Sequence, residues 1–382
     1  MVFKTPMFLA ACLMDLAQGV FFLVGSLAAA MATERAFLIG AIGTAHYGVK
    51  IIFSVFFGRL SDRVGRRGLL LLACALKIVA LLLLLGPTRL EFVSLSYLVA
   101  GITAAIFWPL ISAWVGDGAH GDELLQRLGR FNIAFSIGML VGPLVTGWAL
   151  AWSMVGAVLF GVFIIGLIMA LILKVAEPPV QEVVETNDDL EVISPWVYVG
   201  WLANVANFIA VGLLRMLFPK IGLAHGFSSS TIGVLLAIFY GGWFVVFLFL
   251  LRFSGWPYRP GPLLVLQSIG IFGFLILWRA QSALSFAIGL FLFGLCVGMT
   301  YFSSLFYCQD GEDEKGHKAG YHETFLGVGM LIGPVLGGLL ADRFSLQTPF
   351  LFCAIVVFLA MGVQVYLLRR PTPTLPATRE IS

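Results

Sequence analysis

Asp15 and Gln18 stand three residues apart in a long apolar run, and Asn204 and Asn207 repeat that spacing in a second one. A separation of three puts both members of each pair on one helical face. His46 and Lys50 are four apart, Arg215 follows the asparagines, and the adjacent His322 and Glu323 open a later run. A charge inside hydrocarbon costs roughly 2.5–3.5 kcal/mol on insertion scales, so such residues are candidates for function. The chemistry open to them is proton binding at Asp15 or Glu323, and polar or ionic contact with a small solute by the rest. Asp15 and Lys50 lie at similar depth on neighbouring runs. They form either a structural ion pair or a site in which Asp15 takes a proton or a cation and Lys50 tunes it. Glu323 is placed near the membrane surface, and Arg215 either holds an anionic solute or reaches the headgroups. Trp108, Tyr240, Trp243 and Tyr301 either line a cavity or pack.

Other chemistry has no visible constellation. No G-x4-G-K-[ST] loop offers an ATP site, no HExxH a metal site, and no G-x-S-x-G a nucleophile elbow. His322-Glu323 is followed by Thr-Phe-Leu. The expectation is no enzyme, no cofactor and no metal. Five cysteines lie in or beside apolar runs without a CxxC pair and read as small buried residues.

The elements that must position these groups follow from composition. The chain is 60% hydrophobic and 11% charged, against roughly 25% charged for soluble domains, so it must be an integral membrane protein. The first run imitates a signal peptide, but its roughly 24 residues exceed an h-region and contain Asp15 and Gln18, so it reads as a retained span. Twelve runs reach the ~20 residues that crossing requires. They lie near 7–30, 37–58, 68–86, 92–115, 127–150, 154–174, 196–218, 229–252, 262–279, 283–307, 319–341 and 347–368. The longest break, 176–195, is acidic and proline-punctuated and reads as a cytoplasmic linker. Placing both termini in the cytoplasm leaves Arg35, Arg89, Lys220, Arg279 and Arg343 outside and most other cations inside, as the positive-inside rule asks.

The halves repeat. GITAAIFWPLISAWVGDG from Gly101 matches GLCVGMTYFSSLFYCQDG from Gly294, pairing Asp117 with Asp310; further on, Pro143 pairs with Pro334. The domains expected are a six-helix bundle at 1–175, the linker at 176–195, a second six-helix bundle at 196–370 and a cytoplasmic tail at 371–382. In repeat-built transporters the solute site lies near the midplane where the repeats meet.

The segment GRLSDRVGRR, from Gly58 to Arg67, reads as a turn at the water edge between two spans. Gly58, Leu60, Asp62, Arg63, Gly65, Arg66 and Arg67 fit the pattern G-x-L-x-D-R-x-G-R-K/R in full. With twelve spans and a six-plus-six repeat, the chain resembles the major facilitator superfamily (MFS). The resemblance implies an all-α membrane fold of twelve transmembrane helices in two pseudo-symmetric bundles. It also implies a conformational latch: Asp62 facing the start of span 11, and Arg63 or Arg66 meeting Asp117. The corresponding turn around Gly255 has lost the pattern. A second family pattern places Gly129, Gly138, Gly142, Pro143 and Gly147 in span 5, with Thr146 for one glycine. It is complete in span 11, with Gly320, Gly329, Gly333, Pro334, Gly337 and Gly338. Because both halves carry it, close helix packing explains it better than an antiport signature. Span 3 is peripheral in the family, so its lone Lys77 is expected to snorkel or to face a partner helix.

The function implied is secondary transport of a small solute by alternating access, driven by protons, with a slight lean to export by antiport. The alternative is uptake of an anionic metabolite, since Lys50, Lys77 and Arg215 outnumber Asp15 and Glu323. A transporter fold that only senses or assembles is the alternative of another class. Expected partners are the solute, a coupling proton and the bilayer, with no nucleic acid. A monomer in a bacterial inner membrane is expected.

Overall fold

The structure is a computed structural model describing residues 5–116, 121–175, 194–253, 255–309 and 315–369. The linker at 176–193, Asp117 and the tail from 370 lie outside these.

With no water to satisfy peptide groups in lipid, the apolar runs become helices. There are twelve among the described residues: α1 (Thr5–Ala32), α2 (Ala36–Val64), α3 (Arg66–Leu83), α4 (Leu90–Gly116), α5 (Gly121–Trp152), α6 (Met154–Lys174), α7 (Pro195–Ala224), α8 (Ser229–Arg252), α9 (Pro260–Arg279), α10 (Ala283–Gln309), α11 (Lys315–Arg343) and α12 (Thr348–Arg369). By length and composition, 11 could cross a membrane; the exception, α3, carries Arg66, Arg67 and Lys77 in its 18 residues.

The main pairings of the first half recur six helices later. α1 packs on α5, α6 and α4, and α7 packs on α11, α12 and α10; α2 with α4 and α3 with α4 and α6 reappear as α8 with α10 and α9 with α10 and α12. The halves meet along two seams, α2 against α11 and α5 against α8, which the same six-helix shift interchanges, and α1 touches α7 between them. The fold is thus all-α, with two pseudo-symmetric bundles.

The glycine pattern supplies close approach. A Cβ on Gly142 would press on Leu16 and Gly19 of α1; one on Gly333 would strike the Ile209 backbone of α7, and one on Gly329 the backbone of Val205 and Ile209. Pro143 and Pro334 sit inside α5 and α11. Their carbonyls lie against Gly233 of α8 and Gly40 of α2, so each seam sets a proline carbonyl on a glycine.

The segment from Gly58 to Arg67 is not a turn. α2 continues through Val64, and one residue, Gly65 at φ 82°, separates it from α3. A polar segment continues a helix past the hydrocarbon as readily as it leaves it, because its hydrogen bonds stay internal; only the positive φ forces the break, and glycine takes it without strain. The side chains of Asp62 and Arg63 lie outside the described residues. A Cβ on Gly58 would meet nothing within 4 Å, so packing does not demand that glycine here.

Candidate functional site

Between the bundles lies a partly open cavity. Asp15, Gln18, Gly19 and Phe22 of α1 form one wall, with Pro143 of α5; Arg215 of α7 and Tyr240 of α8 face them from the other half. Asp15 is placed by backbone contact: a Cβ on Gly138 would lie 3.0 Å from the Asp15 Cβ and against the Cys12 carbonyl, so α5 rests on the turn of α1 that carries the carboxylate.

The electrostatics of the cavity are uneven. Asp15 is 9% exposed, and among the described residues it makes no ion pair. The charges acting on it are those of Arg215, Lys77 and Lys50, in that order. The Arg215 Nε–H donates to the Tyr240 hydroxyl at 3.0 Å, and the guanidinium carbon lies 5.5 Å from the Phe22 ring centre. Lys77 is fully buried, donates to the Gln18 side-chain oxygen and sits 4.0 Å from the Phe21 centroid. Cation–π contact and one amide oxygen offset part of its desolvation, but neither supplies a counter-charge. The cavity thus holds one carboxylate and is flanked by two cations.

The Asp15–Lys50 pair does not form. Lys50 reaches across the α2–α11 seam to Glu323 at 3.9 Å, with side chains 22% and 57% exposed. Equal depth on two helices does not fix which way each side chain faces, and α2 turns this one toward α11. His46 does not line the cavity: it is 1% exposed, hydrogen-bonds the Tyr97 carbonyl through Nδ1 at 2.9 Å and packs among Phe21, Phe22 and Tyr47.

The polar residues of the second half form a knot of their own. The Asn204 Nδ2–H donates to His322 Nδ1 at 3.3 Å, and the Ser304 hydroxyl meets the same nitrogen at 2.9 Å. Asn207 donates to the Ala203 carbonyl at 2.9 Å and accepts from the Cys296 thiol at 3.1 Å. All are buried and neutral in chemistry, and none lines the cavity.

Of the latch, the Arg67 guanidinium donates to the Val175 carbonyl, just past the end of α6. The contacts expected of Asp62, Arg63 and Asp117 fall outside the described residues. Sequence reasoning left Lys77 out of the site because span 3 was placed at the periphery. The signal was a lone ammonium in a leucine-rich helix, which must find a polar partner. Among the described residues no cluster of His, Cys, Asp or Glu could hold a metal.

Comparison with known proteins gives the same architecture. The chain is 22% identical over 337 residues to Multidrug resistance protein 2 of Bacillus subtilis (strain 168), covering 82% of each chain. Its fold is similar to that of a bacterial homologue of the human lysosomal transporter Spinster in an inward-facing, occupied conformation (TM-score 0.77, 13% identity, 98% of this chain and 99% of that one). It is also similar to the human organic anion transporter TETRAN (TM-score 0.65, 18% identity, 96% and 99%). The model of the Major Facilitator Superfamily matches residues 7–311 and 201–381. With a cavity at the meeting of its two six-helix halves, the chain belongs to the Major Facilitator Superfamily and is a membrane transporter that moves a small solute by alternating access.

Proposed function

We propose that the chain is a proton-coupled transporter whose solute, a small organic anion, binds in the Asp15–Arg215 cavity. The observation that carries this reading is an unpaired carboxylate in a cavity flanked by the Arg215 and Lys77 cations. When Asp15 is ionised it competes with a bound anion for those cations. When it takes a proton, Arg215 and Lys77 are left to the solute. Proton and anion then bind together, and each raises the affinity for the other, as linkage requires. Phe22, Leu23 and Leu236 leave an apolar wall beside the charged one, which suits an anion with a hydrocarbon or aromatic part.

Of the sequence candidates, Asp15, Gln18 and Arg215 are assigned to this site with Lys77 added. Lys50 and Glu323 are assigned to the seam, and His46, Asn204, Asn207 and His322 to packing. Cytoplasmic termini, an inner-membrane location, a monomer and a linker at 176–195 between bundles at 1–175 and 196–370 complete the proposal. An inward proton gradient then drives uptake. Export by antiport remains a second reading, favoured by the likeness to a multidrug resistance protein at 22% identity.

A thermal-shift screen of purified protein against organic acids, sugars and drugs identifies the solute. Proteoliposomes then test the coupling. Wild-type protein is expected to accumulate the anion when the outside is acidic, whereas Asp15→Asn exchanges it across the membrane but no longer accumulates it. Accumulation retained in Asp15→Asn, or efflux of the solute against inward proton flow, would overturn the symport reading.

A further inference from the structure

The two seams are related by the repeat, yet the first turns of their even-numbered helices are satisfied differently. α8 is self-sufficient: Ser228 is its N-cap and its hydroxyl accepts from the Thr231 N–H at 3.2 Å. α2 has Arg35 as N-cap, with no side-chain cap bond. Its opening N–H groups are instead taken by Asp342, from the end of α11 in the other half. One carboxylate oxygen accepts from Ala36 N–H at 2.7 Å and the other from Phe37 N–H at 2.9 Å. Gly338, one turn back along α11, lies against the Ala36 carbonyl and the Phe37 Cα, where a Cβ would force the helices apart. The Lys220 ammonium of α7 reaches the Thr33 carbonyl at 3.3 Å beside this contact.

A carboxylate at a helix start is doubly favoured, by hydrogen bonds to orphan N–H groups and by the partial positive charge there. Supplied from within the helix, such a cap would be indifferent to rocking. Supplied across the seam, it exists only while this face is closed.

The last residues of α2 and α11 read alike: Leu60-Ser61-Asp62-Arg63 and Leu340-Ala341-Asp342-Arg343. The two helices run antiparallel along one seam, so their aspartates stand at opposite faces of the membrane.

We infer that Asp342 is a second latch, which holds the face opposite the chain ends closed by capping α2. It acts in opposition to Asp62 at the other end of the same helix pair. Breaking one latch favours the state held by the other. The inference rests on alternating access but not on the identity of the coupling ion or the solute.

The test reads the closed face directly. Spin labels at Glu34→Cys, between α1 and α2, and Gln281→Cys, between α9 and α10, report the separation of the halves on this face by electron–electron double resonance in nanodiscs, in a background lacking the five native cysteines. Asp342→Ala is expected to raise the long-distance population about two- to thirtyfold, the range set by losing a helix cap. Asp342→Glu should restore the wild-type distribution, and Asp62→Asn should move it the other way, with the double variant between the two. Asp342→Asn, which keeps the shape of the side chain, provides the milder substitution should the alanine variant fold poorly. Unchanged distances in both Asp342→Ala and Asp342→Asn, or shifts of one sign for the Asp342 and Asp62 variants, would overturn the proposal.

Discussion

The two halves of this protein share a plan but not a chemistry. In the first, the polar groups of the central helices are ionisable: Asp15 opens onto a cavity and Lys77 presses in behind Gln18. In the second, α7, α10 and α11 carry amides, an imidazole and a hydroxyl that bond to one another and to backbone, and none of these groups lines that cavity. Arg215 is the exception, a cation contributed by the second half to the first half's carboxylate. Duplication gives two equivalent frameworks. The difference teaches that one framework can keep a buried carboxylate while the other supplies uncharged polar groups and one counter-charge, a division that the proposed proton coupling would use. A solute bound in the cavity as proposed would touch both, as a ligand must if it is to bias a two-state equilibrium.

Substitutions can break or sharpen that contrast. The largest effect is expected from Asp15→Asn, which should bring proton-driven accumulation down to equal concentrations on both sides, measured as uptake into proteoliposomes under a pH gradient. Arg215→Gln removes a charged hydrogen-bond donor of the kind worth about 1.5–3 kcal/mol, so KM should rise about ten- to a hundredfold with the maximal rate little changed. Lys77→Met preserves the packing volume but not the charge. About tenfold in KM, together with unchanged or higher thermal stability, is expected because an unpaired buried charge is removed. An unchanged KM would return Lys77 to a purely structural role. The smallest effect belongs to the neutral half: Asn207→Leu breaks bonds to Ala203 and Cys296, of a type averaging about 0.6 kcal/mol in membranes, and should lower melting temperature slightly while leaving proton coupling intact. Loss of coupling there would erase the distinction between the halves.

How far these features were legible in the sequence depends on what each required. Hydropathy fixes helix number, because lipid leaves an apolar run no other structure. It fixes ends poorly, and α2, α5 and α11 run beyond their expected limits into polar residues whose helical bonding hydropathy does not see. The Gly138/Gly142 and Gly329/Gly333 spacing foretold close packing correctly, since only small residues permit it. Asp15, Gln18 and Arg215 could be picked out because polarity in an apolar run is itself the signal. The rotation of a helix about its axis left no such trace. It turns Lys50 to Glu323 and His46 to Tyr97, and it brings Lys77 inward from a helix taken as peripheral. Asp342 escaped notice because it stands at a helix end, where an acid is ordinary. Only the pairing of its carboxylate with a helix from the other half gives it meaning.

The seams carry a last consequence. At Gly40 on Pro334, at Gly338 on Ala36, and at Gly147 and Gly233 facing each other, main chain meets main chain across the seams. Parting these points wets peptide groups, which water receives well, whereas hydrocarbon uncovered between them costs about 25 cal/mol per Å². Under the proposed latch, a single carboxylate at the rim, bonded to Ala36 and Phe37, tips the balance between closed and open in a chain of 382 residues.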